Sequence, residues 1–121
     1  MLSIKIGFSK YNSLSYLYNF DIDTAEELTT VLARNMQQRR LEKGLSREAL
    51  SEMSGVPAST IAKFEQKHTI ALTSYVALAK ALGYSADIKQ LLSEPQYSTM
   101  EELETINRNK YRKRGRHEAN R

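Results

Sequence analysis

Cysteine is absent from the chain, so there is no disulfide framework and no thiolate metal site. Histidine occurs only as His68 and His117, far apart in sequence. That argues against a catalytic metal cluster and against a cysteine- or histidine-based nucleophile system. No long apolar run is present, which excludes a transmembrane helix. The opening Met1-Leu2-Ser3-Ile4-Lys5-Ile6 lacks the basic stretch, apolar core and small-residue cleavage site of a secretory leader. It reads as a mature cytoplasmic N-terminus. Paired carboxylates, a phosphate-binding loop and a nucleophile–base pair are all missing, so neither enzymatic activity nor a cofactor is expected. Proline is scarce, and both examples act as punctuation: Pro57 opens a helix and Pro95 stops one.

What is present is a 121-residue chain, 40% apolar, enough for one folded domain with a modest core and tails. The net charge of +4 is unevenly spread. From Arg108 to Arg121 there are seven basic residues against Glu118, a net of +6, which leaves −2 for everything before. The basic pI thus belongs to the tail, and bulk charge alone does not make the core a nucleic-acid binder.

Residues 1–22 stand apart. Ile4, Ile6 and Phe8 alternate with polar residues. After Ser9-Lys10-Tyr11-Asn12-Ser13 a second alternation puts Leu14, Tyr16, Tyr18, Phe20 and Ile22 on one side. Period-two patterning rich in Ile, Phe and Tyr predicts two strands, or a hairpin, which needs a surface to pack on because an isolated hairpin is marginal in water.

From there the period changes to that of helices. Thr24-Ala25-Glu26-Glu27 is a capping box, opening a helix with Leu28, Val31, Leu32, Asn35 and Met36 on one face and an end at Gly44. Ser46 caps a second helix in which Ala49, Leu50 and Met53 face inward, broken by Gly55. Val56-Pro57 starts a third, burying Ile61 and Phe64. A fourth spans about Leu72 to Leu82, with Tyr75, Val76, Leu78, Ala79 and Leu82 inward, and ends at Gly83. Asp87 to Leu92 forms a fifth short turn. Thr99-Met100-Glu101-Glu102 is a second capping box, leading a weak helix (Met100, Leu103, Ile106) into the basic tail. The expected organisation is an N-terminal extension at residues 1–22, a helical domain at residues 23–93 and a basic, partly disordered tail at residues 94–121.

The stretch from Gly44 to Glu65 is the most informative. Two short helices flank a glycine-centred turn. Small residues, Ala49 and Ser54, sit where the helices cross, and apolar Leu50, Val56 and Ile61 fix the angle. A helix-turn-helix has this requirement, because its second helix must protrude rigidly to enter the major groove. On these residues, the segment from about Leu28 to Leu92 resembles the Cro/repressor-type helix-turn-helix, often called the XRE family. The Ala-Leu-Gly ending of the fourth helix matches too. Two positions depart: Arg47 stands where glutamine is usual and Ser51 where alanine is usual.

The resemblance implies an all-α, five-helix Cro/repressor-like domain that binds a double-stranded operator as a homodimer. Half-sites would then lie about 10 bp apart or a multiple of that. It also implies roles. Arg47, at the start of the second helix, would contact a backbone phosphate, where the helix dipole favours an anion. Ala58, Ser59, Thr60 and Lys63 would lie on the recognition helix. Ser59 and Lys63 would read base edges, Lys63 suiting guanine O6/N7, and Ala58 would touch a thymine methyl. Thr60, Lys67 and His68 would rest on phosphates. Arg40 and Glu65 match an ion pair that ties the first helix to the third.

The segment Ser98–Glu104 leading into Lys110-Tyr111-Arg112-Lys113-Arg114 resembles HipB-type antitoxins. Those regulators bind their own promoter and a kinase-fold, HipA-like toxin. This implies a repressor and antitoxin, cytoplasmic and bacterial, held on the nucleoid when bound. A stand-alone phage-like or metabolic repressor is the alternative, and a protein-interaction module on the same fold is another. For Arg112, Lys113, Arg114 and Arg116 three readings compete: non-specific grip on DNA, arginine in the minor groove, and docking to an acidic toxin surface. Tyr11, Tyr16, Tyr18 and Tyr111 suit an interface, against simple packing of the N-terminal aromatics on the helical domain.

Overall fold

A computed structural model describes residues 23–115. Among the described residues there are six helices and no strand: α1 (Ala25–Glu42), α2 (Arg47–Ser54), α3 (Ala58–Lys67), α4 (Leu72–Ala81), α5 (Ser85–Gln90) and α6 (Met100–Asn109). The expected five-helix count falls short by one, because the weak C-terminal helix is a ten-residue helix in full. The hairpin expected over residues 1–22, with Tyr11, Tyr16 and Tyr18, lies outside the described residues, as does Arg116. The chain divides into two compact units, Met1–Ser85 and Ala86–Arg121.

Local signals explain the helix starts in the first unit. At α1, Thr24 Oγ1 accepts from the Glu27 N–H at 3.0 Å and Glu27 Oε1 accepts from the Thr24 N–H at 2.9 Å, a reciprocal box that satisfies two otherwise unpaired donors. At α2, Ser46 Oγ accepts from the Ala49 N–H. Pro57 stands at the N-cap of α3, with φ −58° and ψ 143°, one position outside the helix it was expected to enter.

The core is narrow. Leu50, Ile61 and Leu78 are fully buried, one each from α2, α3 and α4. Ala33 and Met36 of α1, Val56 of the turn, and Phe64, Ala79 and Leu82 close around them. Phe64 meets Tyr75 edge to face, ring centroids 5.7 Å apart, a favoured geometry for aromatic pairs.

Two expectations about helix faces and one about a helix boundary need correction. In α1 the buried residues are Ala33, Met36 and Arg40, while Leu28, Val31 and Leu32 are 50%, 43% and 42% exposed. At about 100° per residue, the buried line runs roughly a third of a turn away from the apolar stripe. α1 is oriented by Arg40 and Met36 at its C-terminal half, and the stripe at its N-terminal half is left facing out. In α2 only Leu50 is buried, and Met53 is 53% exposed. One turn on, Met53 lies about 60° around the helix from Leu50. Finally, α5 runs Ser85–Gln90 rather than Asp87–Leu92. Leu92 adopts φ +62°, which no right-handed helix contains, and Leu91 and Leu92 are exposed.

In the second unit, α6 begins at Thr99, whose Oγ1 accepts from the Glu102 N–H at 3.1 Å. The reciprocal bond differs from the expected box: Glu102 Oε1 accepts from the N–H of Ser98, not Thr99, at 2.6 Å.

Candidate nucleic-acid interface

The turn between α2 and α3 sets the angle at which α3 is presented. Gly55 takes φ +81° and its N–H bonds to Ser51 O at 2.8 Å, ending α2. Only glycine enters this left-handed conformation freely. Ser54 Oγ then accepts from the Val56 N–H, and Val56 is buried, as are Leu50 before it and Ile61 after it. Buried apolar contacts on both sides of a three-residue connection leave α3 little freedom to swing.

α3 has two sides of different chemistry. Ile61, Phe64 and Glu65 are buried. Ser59, Lys63, Gln66 and Lys67 are exposed, while Ala58, Thr60 and His68 are half-buried. Ser59, Lys63 and Gln66 follow the i, i+4, i+7 spacing of one helix face, so the outward surface is hydroxyl, ammonium and amide in a row. Gln66 had not been anticipated as a site residue. Its spacing from Ser59 and Lys63 was visible in the sequence, and a glutamine side chain pairs with adenine N6/N7 through two hydrogen bonds.

Behind α3 lies a buried charge network. Glu65, its carboxylate fully enclosed, accepts from Arg40 Nε at 2.8 Å and Nη2 at 2.9 Å, and from Arg47 Nε at 2.9 Å. Arg40 also donates to Leu45 O at 2.8 Å, holding the α1–α2 connection. The structure thus brings together Arg40 and Glu65 and adds Arg47 to them. Arg47 is 32% exposed. Its Nε edge is committed to Glu65, so the guanidinium is held by one edge on a buried carboxylate. A glutamine at this position would carry no charge to pair.

His68 caps α3 at φ +68°, and its Nδ1 lies 3.1 Å from Thr30 Oγ1. It therefore ties the end of α3 to α1. In the second unit, Arg108, Arg112, Lys113 and Arg114 line an open cavity of about 840 Å³.

Against known proteins, a family model described as Helix-turn-helix matches residues 36–89, the span from late α1 through most of α5. A protein described as a Neisseria hypothetical transcription factor, from Neisseria meningitidis serogroup B (strain ATCC BAA-335 / MC58), is 36% identical over 77 residues, 63% of this chain and 71% of the relative. The chain belongs to the XRE-type helix-turn-helix family. No solved structure matches it. As a member of that family it is a DNA-binding transcription regulator, with α2 and α3 as its helix-turn-helix pair. Among the described residues, no helix of this regulator is long and apolar enough to cross a membrane.

Proposed function

We propose that the chain is a dimeric, sequence-specific repressor that acts by occupying an operator near its own coding sequence. The supporting observation is α3 itself: one side anchored by Ile61, Phe64 and Glu65, the other offering Ser59, Lys63 and Gln66 outward. In the major groove Lys63 would take guanine O6/N7, Gln66 adenine, and Ser59 either, with Ala58 against a thymine methyl. Thr60, Lys67 and His68 would hold the phosphates flanking the site. Arg47, steadied by Glu65, would reach a phosphate at the start of α2, where the helix dipole adds to its charge. Two such helices on a homodimer would read half-sites about 34–36 Å apart along one face of the duplex.

The basic tail, Arg112, Lys113, Arg114 and Arg116, would add sequence-independent grip and steepen the salt dependence. A second reading makes the regulator an antitoxin with a kinase-fold, HipA-like partner. Its support is the HipB likeness of Ser98–Glu104 and Lys110–Arg114. Co-purification of such a partner with the tagged chain tests it.

The repressor reading is tested by fluorescence anisotropy with the duplex from just upstream of the coding sequence and a scrambled control, over a salt series. A preference of about 10³ or more for the upstream duplex, lost in Lys63→Ala and Ser59→Ala, is expected. Equal binding of both duplexes, with a steep salt slope and no mutant effect, would sink it in favour of an interaction module whose tail merely grips phosphate.

A further inference from the structure

α6 carries an apolar stripe that its own unit does not bury. Met100 is 68% exposed, Leu103 and Ile106 are half-buried, and α6 has no buried residue at all. The three residues span roughly 120° of the helix circumference, a width suited to one partner helix. Exposed tyrosines flank it: Tyr97 before the helix and Tyr111 after it.

The charges decide what the partner is. At about 100° per residue, Glu102 and Glu104 border the stripe in the first half of α6 and Lys110 continues its line past Ile106, while Glu101 and Arg108 lie on the far side. A partner carrying one sign of charge would be repelled by one end of this surface. A second copy of the same helix, turned end for end, is attracted at both ends, and opposed helix dipoles favour the same arrangement.

We infer that α6 is a two-fold dimerisation surface that pairs antiparallel with α6 of a second copy. With the axis near Leu103, the two Leu103 side chains meet, and Met100 of each copy faces Ile106 of the other. The acidic first turn of each then lies toward the basic end of its mate. A self-complementary patch of this kind is what a two-fold interface requires.

This inference deepens the dimer reading above and rests on it. It also sets the strength. Ten helical residues span about 15 Å, and three apolar side chains per copy bury far less than the roughly 1,200–2,000 Å² of a stable interface. The free chain therefore dimerises weakly, and an operator that binds two copies side by side raises their effective concentration and completes the pairing.

The absence of native cysteine makes disulfide trapping in the full chain direct, with and without the upstream duplex. Leu103→Cys is expected to cross-link to itself. A mixture of Met100→Cys and Ile106→Cys is expected to give the mixed disulfide in preference to either homodimer; a parallel pairing would reverse this. Sedimentation equilibrium should show Leu103→Glu weakening the dimer by about tenfold or more, with the wild-type circular dichroism retained because no core residue is touched. If wild type and Leu103→Glu dimerise equally and no mixed disulfide forms, the α6 surface is overturned while the dimer reading stands. If the chain is monomeric in solution and binds operator DNA as a single copy, both fall together.

Discussion

Glu65→Gln isolates the part of the fold that positions the helix-turn-helix. Three N–H donors converge on this carboxylate: Oε1 accepts from Arg40 Nη2 and Arg47 Nε, and Oε2 from Arg40 Nε. An amide of the same shape has one oxygen. If that oxygen takes the Oε1 position, the NH₂ group faces Arg40 Nε; if it takes the other, the NH₂ faces two donors. Either way at least one charged donor loses its acceptor inside the protein, and Arg40, only 6% exposed, keeps an uncompensated charge. Losing one buried charged hydrogen bond costs about 1.5–3 kcal/mol, and breaking a buried pair about 3–5 kcal/mol. The expected loss is about 3 kcal/mol. At roughly 4–8 °C per kcal/mol for a small domain, Tm should fall by about 12–24 °C. Urea denaturation at neutral pH, followed by circular dichroism, measures the loss directly. A control with Arg40→Met, Arg47→Gln and Glu65→Leu together removes every charge, and should be less destabilised than Glu65→Gln alone. A loss below about 1 kcal/mol for Glu65→Gln, or a triple variant worse than the single, would refute the account of a desolvated, mutually dependent network.

Three further outcomes follow from named contacts. Gly55→Ala meets no atom within 4 Å of the added methyl but is held at φ +81°, so it should lose about 1–2 kcal/mol in urea titration from backbone conformation alone; a neutral result would mean the turn relaxes. Gln66→Ala should relax discrimination at a single operator position by about 1–3 kcal/mol with an unchanged salt slope, read by anisotropy against a panel of base substitutions; uniform weakening across the panel would place Gln66 on a phosphate instead. The Ser98 backbone N–H, and then the Ser98 hydroxyl, hold the Glu102 carboxyl below its ordinary value. A lowered carboxyl stabilises above its usual titration range, and that stabilisation disappears as pH falls through the lowered value. Acidification should fray the first turn of α6, seen as faster amide exchange there, and Glu102→Gln should show the frayed state without the pH dependence.

Much of the fold follows from local chemistry. The box at Thr24, the Thr99 and Ser46 caps and the Gly55 stop are signals contained within four or five residues, so α1, α2 and α6 start or end where the sequence predicts. The helix-turn-helix was legible because Leu50, Val56 and Ile61 must all be apolar for two short helices to cross at a fixed angle. Ser59 and Lys63 were legible as outward residues because burial of Ile61 and Phe64 fixes the opposite side of α3.

Other features depend on what lies across the core, and no periodicity contains that. Leu28, Val31 and Leu32 made the stronger apolar stripe on α1, yet α1 turns Ala33, Met36 and Arg40 inward. The Arg40–Glu65 pair, expected from the family resemblance and not from any periodicity, joins residues 25 apart in sequence and turns Arg40 inward. Arg47 is expected to contact a phosphate at a helix start, and Glu65, eighteen residues on, takes its Nε. Thr30, on the opposite helix, takes the His68 ring. The sequence by itself determined where α1, α2 and α6 begin and which two helices form the helix-turn-helix pair, because those depend on neighbours along the chain. Only the tertiary structure decided which face of α1 is inside and which charges are already spoken for, because a buried carboxylate accepts from whichever donors the packing brings within about 3 Å.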